Sequence, residues 1–142
     1  MVIATCSLAI ILALVFGVGL ASNLVVRHLV QTLPLWTGVV LGFRRSQAAG
    51  WAALPLFLFW LVLMAVIWSY LLGIAHFVSG HFSPLEIAMT VIVGAASILG
   101  IASFARSRSS LSPWRAAFLF VGLATIQWLC FRISFLPAIA HR

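Results

Sequence analysis

Long apolar stretches that are almost free of charge constrain this chain more than any other feature. Four of them reach the length of about 20 residues that an α-helix needs to cross a hydrocarbon layer of about 30 Å. We predict spans at about residues 3–26, 51–75, 85–105 and 114–134. Hydrophobic residues make up 65% of the sequence and charged residues 6%, so a water-soluble fold of this size would leave much apolar surface uncovered. The predicted fold class is an all-α integral membrane protein with four transmembrane helices in a bundle, forming one membrane domain over residues 1–142.

A fifth apolar segment, at about residues 29–43, is shorter than the others. Only Arg27 and His28 separate it from the first span, which leaves little chain for a turn and a second crossing. Its large apolar side chains recur at helical spacing on one side. These side chains are Leu29, Leu33, Trp36, Val40 and Phe43. We therefore predict a short interfacial or re-entrant segment here.

The arginine distribution predicts an orientation, because positive residues in short loops are retained on the cytoplasmic side. With four spans, one face receives most of the arginines and the other receives Arg132 and Arg142. The larger group contains Arg27, Arg44, Arg45, Arg106, Arg108 and Arg115. We expect both termini to be periplasmic. The absence of lysine together with abundant alanine is typical of a GC-rich bacterial genome, so the expected location is a bacterial cell inner membrane.

The formal charge of +7 comes from arginines that lie between apolar runs. This arrangement fits contact with anionic lipid headgroups and not the clustered basic face of a nucleic-acid-binding protein. The expected partners are therefore the lipid bilayer and other membrane protein subunits or a second copy of the chain, with no nucleic acid.

Small residues recur every four positions along the first span and again in the third span. Such stripes let helices approach closely, and this packing joins helices in lipid. The predicted helix-packing residues are Thr5, Ala9, Ala13, Gly17 and Ala21 in the first span and Gly94 and Gly100 in the third. The sequence leaves open whether the partner helix is internal or belongs to another subunit.

The stretch HFSPLE, residues 81–86, contains the only acidic side chain of the chain. Ser83 and Glu86 have the spacing of a capping box around Pro84, which predicts the start of a helix. A second interpretation makes His76, His81 and Glu86 a weak candidate for a zinc or proton site. Histidines five residues apart do not share one helical face, so we favour the capping interpretation.

Gln127 is the polar side chain that lies deepest in a predicted span, and we expect it to form a hydrogen bond between helices.

The two cysteines, Cys6 and Cys130, both fall toward the outer side in the predicted topology. They could form a disulfide if the first and fourth spans were neighbours. Lone cysteines in apolar helices also act as small hydrophobic residues, which is the favoured interpretation.

The sequence offers few groups for catalysis. Without aspartate and with one glutamate, it cannot form a Ser-His-Asp triad or a carboxylate pair, and it has no cysteine motif for an iron-sulfur cluster. We predict no enzyme activity and no cofactor, and a non-catalytic accessory or assembly subunit that acts through helix packing. The alternatives are a small oligomeric transporter or channel that uses Gln127, and a haem-binding redox subunit that uses His76 and His141.

Overall fold

The computed structural model describes residues 1–74, 82–107 and 110–140. This part of the chain is helical and holds four helices long and apolar enough to span a membrane. The elements in chain order are α1 (Val2–Leu12) with its π-helical continuation (Ala13–Gly19), α2 (Val25–Thr32), α3 (Leu35–Phe43), α4 (Ala49–Leu71), α5 (Pro84–Arg106), α6 (Pro113–Ile133) and α7 (Pro137–Ala140). The four apolar helices are α1 with its continuation, α4, α5 and α6.

Local sequence signals set several of the helix ends. Ser83 caps α5, and Pro84 occupies its first position, where the missing N–H needs no partner. Ser112 and Pro113 begin α6 in the same way, although no side-chain hydrogen bond accompanies that start. Gly73, with a φ of 71°, follows α4 in the left-handed conformation that favours glycine.

Helices α2 and α3 return along α1. A Cβ atom built on Gly42, near the end of α3, would lie 2.8 Å from the backbone nitrogen of Ala4 at the start of α1. At the other end, a Cβ atom built on Gly19 would lie 3.6 Å from the Cβ atom of His28 in α2. The segment of residues 25–43 is therefore antiparallel to α1 over its whole length.

The reversal takes only a few residues because the helix before it ends in a Schellman motif. Asn23 has a φ of 56°, and the N–H groups of Asn23 and Leu24 donate to the carbonyls of Leu20 (3.3 Å) and Gly19 (2.8 Å). The prediction that the chain lacks room to turn here is wrong, since this compact cap leads directly into α2. The predicted single short segment consists of two helices that pack on α1.

The remaining helices complete an antiparallel bundle. Helices α4 and α5 pack closely, with a Cβ atom built on Gly50 lying 2.7 Å from the ring of Phe104 and one built on Gly94 lying 4.0 Å from the Cβ of Met64. Helix α6 packs on α4 and α2. The core centres on α1 and α4, and its largest fully buried apolar side chains are Trp60, Phe57, Ile10, Leu35 and Leu56.

The bundle has an arginine-rich end and an opposite end. The arginine-rich end holds the start of α1, the loop of residues 44–48, the end of α5 and the start of α6, and the hydroxyl of Ser110 donates to Gln47 there. The opposite end holds the turn of residues 20–24, the start of α5 and the end of α6. The two ends of the described chain thus lie at opposite ends of the bundle, which differs from the expectation that both termini share one side. Arg27 consequently belongs to the opposite end and not to the arginine-rich group.

Candidate functional site

A cavity of about 570 Å³ lies between the π-helical segment, α2, α4, α5 and α6, toward the opposite end of the bundle. Most of its wall is apolar. Its polar lining residues are Arg27, His28, Gln31, Glu86 and Thr90. A mainly apolar chamber with a few polar groups is the usual form of a small-molecule site.

The π-helical segment shapes one wall of the cavity through Leu14 and Val18. π-helical turns are rare and occur frequently at functional sites. Gly17 in this segment faces Met89 of α5, another lining residue, and a Cβ atom on Gly17 would overlap the Met89 side chain. The absence of a side chain at Gly17 is therefore what lets Met89 occupy its place in the wall.

Arg27 brings a positive charge to the cavity and forms no ion pair with Glu86, the carboxylate in the same lining. Its guanidinium carbon lies 4.0 Å from the centre of the Phe135 ring, a distance that permits a cation–π interaction. Its Nε atom is buried and has no hydrogen-bond acceptor among the residues that the structure describes. Within the same residues Arg27 forms no ion pair. Since burial of an unpaired charge is unfavourable, this side chain is suited to an anionic partner.

His28 also lines the cavity, although the sequence showed it only as a residue between two apolar segments. Its side chain is buried, and Nδ1 lies 2.9 Å from the carbonyl oxygen of Leu24. Because a carbonyl only accepts, Nδ1 carries the proton in this hydrogen bond. Nothing in the spacing of the histidines indicated this position, since His28 reaches the cavity only through the reversal of the chain.

Glu86 both caps α5 and lines the cavity. Its Oε2 accepts from the backbone N–H of Ser83 (2.7 Å) and from the Ser83 hydroxyl (2.8 Å), while its own N–H donates to that hydroxyl oxygen (3.2 Å). The carboxylate is also favoured by the positive end of the helix dipole. His76 and His81, the other members of the weak metal candidate, lie outside the described residues. The described residues contain no group of three or more potential metal-binding side chains.

A polar chain joins α2 to α6 beside the cavity. The fully buried Gln127 donates from Nε2 to the backbone oxygen of Gln31 (3.0 Å), and Gln31 donates from its own Nε2 to the hydroxyl of Ser134 (2.9 Å). Gln31 lies in the last turn of α2, where Pro34 interrupts the helix and leaves backbone oxygens in need of donors. Gln127 can be predicted from the sequence but its partner cannot, because Gln31 lies in the segment predicted to be interfacial or re-entrant.

The small residues predicted in the first span lie in different environments. Ala13 and Gly17 are buried, Ala9 is half-buried, and Thr5 and Ala21 are exposed. The stripe therefore does not form one continuous contact within the described chain.

A close approach of the α1 and α3 backbones involves a motif that was not among the predicted packing residues. Gly38 and Gly42 in α3 form a G-x-x-x-G pattern, and they face Ser7 and Ala4 of α1. Small residues at this spacing allow two backbones to come together. Because this spacing is visible in the sequence, it could have predicted the contact between α1 and α3.

The predicted glycines of the third span contact α4. Gly100 faces the ring of Phe57, and a Cβ atom there would overlap it, whereas a Cβ atom on Gly94 would have only an ordinary contact with Met64. Gly100 is thus required by close packing, while Gly94 is not.

Helix α6 leaves most of its surface uncovered. Ala116 and Gln127 are the residues of Pro113–Ile133 that are fully buried. The side facing away from the bundle, which we call the α6 outer face, is formed by Phe118, Gly122, Thr125 and Leu129. Among the described residues, no atom lies within 4 Å of a Cβ built on Gly122. Phe118 and Leu129 are 77% and 51% exposed, so they border a notch at Gly122 and Thr125.

Cys6 and Cys130 are both free, so the alternative of a disulfide is wrong for this structure. Cys6 is buried near the arginine-rich end, and Cys130 is half-buried near the other end of the bundle. The disulfide idea depended on α1 beginning at the same end as α6 finishes, and the two helices have the opposite relation.

These observations define the chain as an all-helical protein with, in its described part, four helices able to span a membrane. Comparisons with protein-family models, with curated proteins and with solved structures found no match.

Proposed function

We propose that this chain is a non-catalytic accessory or assembly subunit of a bacterial inner membrane, and that it binds one other membrane protein through the α6 outer face. The notch at Gly122 is the observation that carries the proposal. A helix of a partner could approach α6 closely there, with Phe118 and Leu129 packing on either side of it.

The position of Gly122 supports a role in packing. Glycine lowers helix stability by about 1 kcal/mol relative to alanine, measured in water, and inside helices it often has a packing or functional reason. Gly100 and Gly42 have such a reason within this chain, because other helices occupy the space beside them. Gly122 has no such neighbour among the described residues, so a partner helix would supply the corresponding reason.

We further propose a topology of five crossings, with residues 25–43 returning through the membrane beside α1. The arginine-rich end would then be cytoplasmic by the positive-inside rule, since it holds Arg44, Arg45, Arg106 and Arg115. In this topology the start of α1 is cytoplasmic and the end of α6 is periplasmic. The outward-facing apolar residues of α2 and α3 would contact lipid.

The transporter alternative depends on Gln127, whose Nε2 donates within the chain and whose Oε1 has no partner among the described residues. Gln127 was the candidate for lining a path, and its amide instead satisfies the Gln31 carbonyl. The haem alternative depended on His76 and His141, which lie outside the described residues. The uncovered α6 outer face is what supports the accessory role.

Site-specific photo-cross-linking tests the proposal. A photoreactive amino acid at Phe118 should give one discrete adduct with a different membrane protein, whereas the same residue at Ile92, on the exposed side of α5, should give none. The substitution Gly122→Leu, which fills the notch, should abolish the Phe118 adduct in a doubly substituted chain. Ala117→Leu, which adds bulk at an exposed position about 140° round the same helix from Gly122, should leave it unchanged.

Three outcomes would contradict the proposal. They are an adduct of twice the mass of the chain, which would indicate a second copy; cross-linking to lipid alone; and an adduct that survives Gly122→Leu as well as it survives Ala117→Leu.

A further inference from the structure

We propose that the cavity is a binding site for a single-chain amphiphile with one carboxylate, a long-chain fatty acid being the representative ligand. The carboxylate would pair with Arg27, and the chain would lie against the deep apolar wall around Trp60 and Val93. This inference rests on the cavity and is independent of the α6 outer face.

The cavity changes from polar to apolar along the bundle axis. On α5, Glu86 lies in the first turn and Val93 lies seven residues later, which is about 10 Å deeper at 1.5 Å per residue. On the antiparallel α4, Ile67 lies near the opposite end, and Trp60 is deeper by the same number of residues. A ligand oriented along this axis would have its polar group at the end of the bundle and its apolar part inside.

The charges of the lining favour one negative head group. Glu86 is already engaged by Ser83 and by the start of α5. Among the described residues the Arg27 guanidinium stacks on the Phe135 ring and forms no ion pair, and its Nε remains without an acceptor. A guanidinium and a carboxylate match in both charge and planar geometry. A phosphate monoester would bring a larger negative charge close to Glu86, so the carboxylate fits better.

The size and lining of the cavity also fit one chain. A volume of about 570 Å³ falls within the range of about 300–1,000 Å³ that is typical of sites for small organic ligands. The deep wall is formed by apolar side chains from three helical segments. They include Leu14, Trp60, Met64 and Val93.

Fluorescence quenching by brominated ligands tests the proposal, because Trp60 lies in the cavity wall. A fatty acid brominated along its chain, added to the purified full chain in mild detergent, should give saturable quenching. Trp60→Phe should remove that saturable component. Native mass spectrometry provides a second readout and should detect one bound fatty acid, also in Trp60→Phe.

The head-group assignment has its own variants. Arg27→Gln should weaken the binding of the brominated acid roughly tenfold or more, since a charge-assisted pair is lost, and Arg27→Lys should restore most of it. Arg132→Gln removes a positive charge from the same end of the bundle, outside the cavity lining, and should leave binding unchanged. Melting temperatures of all variants would confirm that each one is folded.

Several results would overturn the inference. Absence of saturable quenching and of a bound fatty acid in the unmodified chain would reject the site. Equal binding of a brominated fatty alcohol, or equal binding after Arg27→Gln and after Arg132→Gln, would reject the carboxylate. Tighter Arg27-dependent binding of a brominated phosphatidylglycerol would assign the cavity to a two-chain membrane lipid instead.

Discussion

The substitution Gly42→Ala tests the contact between α1 and α3 on which the bundle depends. The new Cβ atom would lie 2.8 Å from the backbone nitrogen of Ala4 and 2.9 Å from its Cβ, whereas ordinary contacts begin at 3.4 Å. Because the obstacle includes backbone, no side-chain rotation can relieve it, and the helices must separate by about 0.6 Å. Overpacking of this kind costs about 1–3 kcal/mol.

The control is Gly122→Ala, which makes the same chemical change where no described atom lies within 4 Å. Alanine favours a helix over glycine by up to about 1 kcal/mol, and this gain applies to both variants, although less to Gly42 in the last turn of α3. The difference between the two variants therefore reports the steric overlap at Gly42, together with the smaller difference in helix propensity between the two positions. We expect Gly42→Ala to have a free energy of unfolding about 1–3 kcal/mol below that of Gly122→Ala.

Reversible unfolding by SDS in mixed micelles, followed by far-UV circular dichroism, measures this difference. The Gly42→Ala transition should shift to lower SDS fractions, while that of Gly122→Ala should match or exceed the unmodified chain. Equal midpoints for the two glycine variants would refute the close packing of α3 on α1.

Three further results follow from the hydrogen bonds and thiols of the chain. Gln127→Leu should lower the free energy of unfolding by about 1 kcal/mol in the same assay, because the Gln31 carbonyl loses its donor; an unchanged midpoint would contradict the link between α2 and α6. Ser83→Ala should lower it by about 1 kcal/mol through loss of the capping box, whereas Ser112→Ala, at a start without a side-chain cap, should have a smaller effect. Alkylation with N-ethylmaleimide in denaturant but without reductant should add two labels by mass spectrometry, since both cysteines are free; no labels would indicate a disulfide.

The sequence predicted the features that depend on local pattern. The length of the apolar runs is sufficient to identify the four long helices, because crossing a bilayer requires a minimum number of apolar residues. The start of α5 followed from Ser83, Pro84 and Glu86, whose capping geometry involves only neighbouring residues. These signals need no knowledge of the rest of the fold.

The return of residues 25–43 could not be read in the same way. It depends on Asn23 adopting a left-handed conformation, which asparagine tolerates but does not require. The segment was also too short to be predicted as a membrane span, and Pro34 divides it into two short helices. Because the turn at residues 20–24 was not predicted, the predicted topology placed Arg27 at the wrong end of the bundle. It also placed Cys6 and Cys130 on the same side.

The cavity is a product of tertiary structure. Arg27 and His28 precede Glu86 by more than 50 residues in the chain. The π-helical segment at Ala13–Gly19 has no signature in the residue pattern. Gln127 could be found because a polar side chain deep in an apolar run is conspicuous by itself. Its acceptor is a backbone oxygen, which the residue types of a sequence do not reveal.

The sidedness of the two loops that flank residues 25–43 tests the account most directly. Single cysteines at Ala21 and at Gln47, in a chain whose two native cysteines are replaced by alanine, can be labelled with a membrane-impermeant maleimide in spheroplasts and in inverted vesicles. We expect labelling of Ala21→Cys from the periplasmic side and of Gln47→Cys from the cytoplasmic side. Labelling of both positions from the same side would contradict the five-crossing arrangement.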